Sequence, residues 1–351
     1  TISGDYENQR LIAATDIKSE LFKLNVNGLV DISENEPSFD VNMKVNEADL
    51  YKLKLLDYDK HSLLTTNVKA NLRGIGLDNM YGSVMFDNTS YVDSRGEYFM
   101  DSLNLVLTEN YFDSKDVSVV SDFFDMDLRG VVNFASLTNS FKNYIMNHFH
   151  VNKWSDKGVK LQDDTQDFYV NMTLKNTETL SRLFLPQLRI SDNTNLTATY
   201  TSNKYQLYTT IESDMFTYNN LTFNDVYLKN KTDVDKTTAN VRIKEFIIKE
   251  ETDTNPVRLS MENLAFLLDA HNDSLLLNMK WHDELQSDRN KGLIEASYVA
   301  DKVGGRLRVS ASDRSSAWPS AGASATCVIS TLSTKAIHHV LQCEKTVHAD
   351  V

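Results

Sequence analysis

Few residues in this chain have the types and spacing that chemistry needs. Gly74-Ile-Gly76 begins a G-x-G-x-x pattern, which in a dinucleotide-binding loop lets backbone N–H groups approach a pyrophosphate. Asn79 stands where the third Gly belongs and no strand–turn–helix context surrounds it, so the stretch reads as a bend in a sheet. Asp122, Asp125 and Asp127 are carboxylates of the kind that bind calcium, but the loop Gly and closing Glu of an EF-hand are missing. Two of them alternate outward on a strand, which makes a solvated face. His148 and His150 flank Phe149, and His338 precedes His339, yet no set of Cys, His and carboxylates has structural zinc spacing. The Cys327 and Cys343 pair reads as incidental. Ser, His and Asp occur without a Gly-x-Ser-x-Gly elbow. Paired carboxylates for glycoside hydrolysis depend on a separation in space that a sequence does not give. With no constellation to start from, the chain reads as a non-enzyme without metal or cofactor. Sequons at Asn88, Asn171, Asn195, Asn220, Asn230 and Asn272 arise by chance where Asn is common, and matter only in a eukaryotic secretory setting.

The elements around these residues are strands. In Phe124 to Phe134 the residues Phe124, Met126, Leu128, Gly130, Val132 and Phe134 fall on one side, against Asp125, Asp127, Arg129, Val131 and Asn133. A period of two means a strand with one apolar and one wet face. The same alternation runs through Phe22 to Ile32, Phe39 to Val45, Val68 to Leu72, Val84 to Phe86, Leu103 to Leu107 and Phe168 to Leu174. It resumes at Leu196 to Thr209, Leu221 to Phe223, Val241 to Ile243, Phe246 to Ile248, Leu264 to Leu268, Leu275 to Trp281 and Gly292 to Tyr298. Hairpin turns are expected at Asp93-Ser-Arg-Gly96 and Asn272-Asp273. Asn46 is placed to cap a short helical turn ending at Leu56, and Ser136 an amphipathic helix with Leu137, Phe141, Ile145 and Phe149. A second short helix, Thr177 to Leu185, is stopped by Pro186.

Composition bounds the rest. The 351 residues suit one large or two ordinary domains, and 41% hydrophobic with 24% charged residues is globular. Fifteen Tyr and 16 Phe favour strands. A net charge of −13 argues against nucleic acid and against a bare anionic membrane surface. No apolar run is long enough for a membrane helix. The opening Thr1-Ile-Ser-Gly has neither an initiator Met nor signal-peptide character, so an internal fragment or mature product is expected.

Three stretches carry a family resemblance: Leu77-Asp-Asn-Met-Tyr-Gly-Ser-Val-Met-Phe86, Gly96-Glu-Tyr-Phe-Met-Asp-Ser-Leu-Asn-Leu105, and Val119-Val-Ser-Asp-Phe-Phe-Asp-Met-Asp-Leu-Arg-Gly130 with the strand and helix that follow. On these, residues 68 to 149 resemble the TamB and AsmA-like group of envelope proteins; residues 22 to 302 share its strand-rich texture more loosely. The resemblance implies an all-β fold with short helices: a long, mostly antiparallel, open U-shaped sheet (a β-taco) crossing the periplasm of a Gram-negative cell. It implies phospholipid transport between the inner and outer membranes, or assembly of outer-membrane proteins, with acyl chains in an apolar trough. The inner-membrane anchor and the outer-membrane barrel partner would involve segments that this sequence lacks. On this reading Val84, Phe86, Leu103, Leu105, Met126, Leu128, Val132 and Phe134 line the groove as one continuous apolar surface. A β-solenoid or β-sandwich adhesion module that closes the same face into a core shows identical alternation, so the two readings stand side by side.

The body is expected to end near residue 302. From Val303 the last 49 residues contain no Phe, Tyr, Met or Asn, and read as an out-of-frame continuation rather than a domain. Arg306 to Val309 are expected to add one strand beside Ile294 to Tyr298. Beyond about 310 the Ser- and Ala-rich sequence is expected to pack little, because ordering costs about 1–2 kcal/mol per residue. Ser333 to Cys343 is assigned at most a turn or two of helix.

Overall fold

The computed structural model describes residues 2–57, 59–76, 78–109, 113–149, 165–233, 236–250, 257–271, 274–282, 290–300, 305–315, 321–331 and 339–349. The chain is 71% strand and 8% helix, and its antiparallel sheet does not close. It divides into two compact units, Thr1–Leu137 with Asp167–Leu185, and Thr138–Gln166 with Pro186–Val351. Neither boundary falls at residue 303. His150, Trp154, Asn272, Asp273, Val303, Trp318 and His338 lie outside the described residues.

The first unit is a meander in which each strand pairs with the next. Its strands are β1 (Ile2–Glu7), β2 (Arg10–Lys18), β3 (Phe22–Asp31), β4 (Ser38–Asp49), β5 (Leu63–Arg73), β6 (Tyr81–Asp93), β7 (Gly96–Glu109), β8 (Ser114–Ser121), β9 (Phe124–Val131) and β10 (Asp167–Leu174). The Asp93–Gly96 hairpin stands where expected. The helical turn at Asn46 does not. Here β4 continues to Asp49, the Asn46 amide bonds to Asn25 Oδ1, and Asp49 Oδ1 accepts the Lys52 N–H as the actual cap of the turn. Asn46 lies in a strand because it fills a bulge in the β4–β5 ladder. The strand expected over Phe124 to Phe134 ends at Val131.

Helix α1 (Leu137–Phe149) forms as the apolar spacing predicts, and helix α2 (Thr177–Phe184) forms ahead of Pro186 as expected, one residue shorter. The second unit holds β11 (Leu188–Ile190), β12 (Asn195–Thr201), β13 (Gln206–Tyr218), β14 (Leu221–Asp233), β15 (Lys236–Glu250), β16 (Val257–His271), β17 (Ser274–His282) and β18 (Asn290–Ala300). Beyond them the backbone runs on as β19 (Gly305–Ser315), β20 (Ala321–Thr331) and β21 (His339–Ala349). Leu307 sits opposite Tyr298, as the Arg306 to Val309 pairing requires. The ladder does not stop at 310, and His339 to Cys343 are strand rather than helix. Small Ser, Ala and Thr residues obstruct no strand, and ladder hydrogen bonds oppose the ordering entropy that the composition alone left uncompensated.

A shared irregularity crosses the second unit. The ladders through β13, β14, β15 and β16 skip Asp214, Asp225, Lys244 and Asn263 at one level, and Asp225 and Asn263 take φ of 50°. On either side of this line the apolar face continues with a three-residue step. Val226, Ile243 and Leu264 form a buried row, and Phe216, Phe223, Phe246 and Met261 pack against it. Asn88 makes the same slip in β6 of the first unit, at φ 50°. Asn and Asp tolerate this left-handed region better than β-branched residues do.

Gly82 sits inside β6 at φ 126°, where an added Cβ would run into the carbonyl of Asn71 on β5. Gly82→Ala is therefore expected to lower unfolding free energy by at least roughly 1–3 kcal/mol, the cost of a strained backbone position. Denaturant unfolding checks this, and an unchanged midpoint would count against the assigned backbone.

Candidate functional site

In an antiparallel ladder, residues directly opposite each other point to the same face. Following the register through the first unit gives rows rather than isolated pairs. One row is Val41–Ala70–Val84–Leu105–Val119–Met126–Met172. A second is Val26–Met43–Val68–Phe86–Leu103–Ser121. A third is Val30–Phe39–Leu72–Gly82–Leu107–Val117–Leu128–Val170. Beyond the second row, Leu24–Val45–Thr66 leads through the bulge, where the Thr66 and Thr89 hydroxyls bond at 2.8 Å, to Met100. The last row is Phe22–Ala48–Leu64–Tyr91–Tyr98. Across the eight strands from β3 to β10 this apolar face is about 34 Å wide, at about 4.8 Å per strand.

The opposite face is polar. The row Asn42–Lys69–Met85–Asn104–Val120–Asp125–Thr173 alternates with the apolar ones. A depression of about 900 Å³ is lined by Asp5, Ile12, Leu29, Asp40, Asn27 and Asn42, among other residues. Those side chains belong to rows of the polar face, above the small residues Gly4, Ala13 and Gly28.

Six of the eight expected groove residues (Val84, Phe86, Leu103, Leu105, Met126 and Leu128) lie in these rows. Leu128 and its neighbours Val117 and Val119 are buried, whereas Val84, Phe86, Leu103, Leu105 and Met126 are half-buried. Val132 and Phe134 fall after the end of β9. Val132 is 2% exposed, its carbonyl accepts from Lys115 Nζ at 3.0 Å, and the Phe134 N–H donates to Asp78 Oδ1 at 2.6 Å. The Lys115 ammonium also lies 5.4 Å from the centre of the Phe134 ring. These tethers turn the chain out of the ladder, so this pair is a packed corner rather than a continuation of the rows.

The aspartates with a calcium-like appearance have other partners. Asp122 Oδ2 accepts the Asp101 N–H, and Asp125 pairs with Lys175 at 2.6 Å. Asp127 is exposed on the polar side. Gly74 lies in the β5–β6 connection with its N–H on the Pro37 carbonyl at 2.9 Å.

One buried carboxylate gave no signal in the sequence. Asp59 is 8% exposed, and accepts the Ser94 hydroxyl, the His61 N–H at 2.8 Å and the Ser94 N–H at 3.0 Å. The Ser94 hydroxyl bond is the largest of the causes that hold its carboxyl down at about 2. The folded value lies below the unfolded value of about 3.9. Asp59 thus stabilises the fold above pH about 3.9, and that contribution fades as pH falls through about 2. Asp59→Asn is expected to flatten the acid limb of stability between these values, as read by unfolding midpoints at pH 2 to 5. An acid limb identical to that of the parent would remove Asp59 from this role.

No protein-family model matches this chain, and no curated protein or solved structure matches it either. Among the described residues, no helix is long and apolar enough to cross a membrane.

Proposed function

We propose that the apolar face of the first unit carries phospholipid acyl chains, as one segment of a periplasmic bridge between inner and outer membranes. This is transport, or support of outer-membrane protein assembly, without catalysis. The anchor in the inner membrane and the barrel partner in the outer membrane belong to other segments of such a bridge. One observation carries the reading. The apolar rows run over six to eight strands, and most of their large side chains are half-buried rather than sealed. A sandwich core in the adhesion-module alternative would seal the row from Val41 to Met172, in which only Val119 is buried. A contiguous apolar surface that its own fold leaves incompletely buried is of the kind that marks binding surfaces. The resemblance to TamB and AsmA-like proteins supports the same occupant.

The test is contact mapping with a phospholipid that bears a photoreactive diazirine in its acyl chain. Val84, Phe86, Leu103, Leu105 and Met126 should be labelled, and Asp125 and Asp127 spared. Equal labelling of the two faces would overturn the reading. So would purified protein from which organic extraction and mass spectrometry recover no phospholipid.

A further inference from the structure

Helix α2 is held to the sheet of the first unit unevenly. Its N-terminal end continues from β10, where the Lys175 N–H donates to the Phe123 carbonyl at 2.8 Å and Lys175 Nζ pairs with Asp125. Its C-terminal end is held from across the sheet by one side chain. Arg95 Nη1 donates to the carbonyls of Arg182 at 3.3 Å and Leu183 at 3.1 Å, acceptors that a helix end leaves without internal partners. Arg95 is itself fixed by the fully buried carboxylate of Asp93, which accepts from Nε at 3.0 Å and from Nη2. In return the Arg182 guanidinium lies 5.3 Å from the centre of the Tyr98 ring.

Its own side chains seat it in part: Thr179, Leu180, Ser181 and Leu183 are half-buried. Thr177 is its one buried residue, and Phe184 is 79% exposed. Three strand spacings separate β7 from β10, about 14 Å, and an eight-residue helix spans about 12 Å. The β7–β8 ladder ends at Leu103 opposite Ser121, so α2 reaches the Tyr98 stretch of β7 past the end of β8. Tyr98, which it covers, is 4% exposed, stacks on Tyr91, and closes the last apolar row.

We infer that α2 is a strap latched by Arg95, which covers the Tyr91–Tyr98 end of the apolar face and on release opens that row to the same acyl chains. The acyl occupant rests on the carrier reading above; the latch does not. The experiment compares the parent chain with Arg95→Ala and Arg95→Lys, by amide hydrogen exchange and by labelling from the diazirine phospholipid in phosphatidylethanolamine–phosphatidylglycerol vesicles. Exchange over residues 178–184 should quicken at least ten-fold while β8 and β9 stay protected. Labelling of residues 89–100 should rise at least three-fold while that of 103–107 holds.

Unchanged exchange in both variants overturns the latch. Faster exchange without new labelling of 89–100, where 103–107 is labelled, overturns the cover. Faster exchange with no labelling anywhere overturns the carrier reading and its occupant while supporting the latch. Arg95→Lys keeps a cation beside Asp93 but loses the planar fork that reaches both carbonyls, so it decides the matter if Arg95→Ala fails to fold.

Discussion

Leu105→Asp is expected to reduce phospholipid bound to the purified protein at least ten-fold, while Asn104→Asp on the same strand leaves it unchanged. Leu105 stands in the row from Val41 to Met172 with Val84 and Val119 on either side, and Asn104 points to the polar face. The two changes add the same charge one residue apart, so they differ only in the surface that receives it. A carboxylate among acyl chains loses its hydration, and in practice either excludes the chains or becomes protonated. Leu105 is half-buried, so its loss removes only part of the roughly 1.5–3 kcal/mol that full burial of a leucine supplies. The variant should fold, and its strand signal in circular dichroism should match the parent. Equal lipid loss in both variants would point to net charge rather than the apolar rows. Retention in both would remove that row from the site.

Much of this architecture is legible in the sequence because the strand period is two, and a one-residue error would reverse every side chain. Val84, Phe86, Leu103 and Leu105 were recognisable as one face for that reason, since each lies in an uninterrupted alternating run. Some of the readings that fail lie where the period slips. Val241 with Ile243 and Phe246 with Ile248 look like two strands, yet they belong to the single strand β15, which steps by three across Lys244. A residue in the left-handed region absorbs that step in β14 and β16, and alternation carries no mark for it beyond the presence of an Asp or Asn. Val132 and Phe134 keep the period perfectly, but Lys115 and Asp78, distant in sequence, pull them out of the ladder. Asp59 is invisible for a similar reason: its donors on Ser94 are brought to it by the β6–β7 hairpin. In the tail, composition gives no signal for strands past about 310, yet the backbone ladder runs on through β20 and β21.

Tyr200→Ala is expected to cost the second unit about 3–5 kcal/mol, the range for emptying a buried aromatic site. Tyr200 is fully buried, and its hydroxyl donates to the Ser140 carbonyl on α1 at 2.8 Å. Its ring stacks on Phe141 with centroids 4.8 Å apart and meets Tyr144 edge-on at 6.1 Å. Tyr144 in turn shares a 2.7 Å hydrogen bond with Thr232 of β14, itself fully buried. One side chain thus joins α1 to the sheet through both ring contacts and a hydrogen bond. Tyr200→Phe keeps the rings and loses the bond, so about 1 kcal/mol is expected from it. Ser140→Ala should move the other way, to neutral or stabilising, because the buried Ser140 hydroxyl has no hydrogen-bond partner and its removal leaves the carbonyl in place. Denaturant unfolding of the three variants, with amide exchange over α1, separates these terms. If Tyr200→Ala and Tyr200→Phe proved equally costly, the hydroxyl rather than the stacked rings would be what fixes α1.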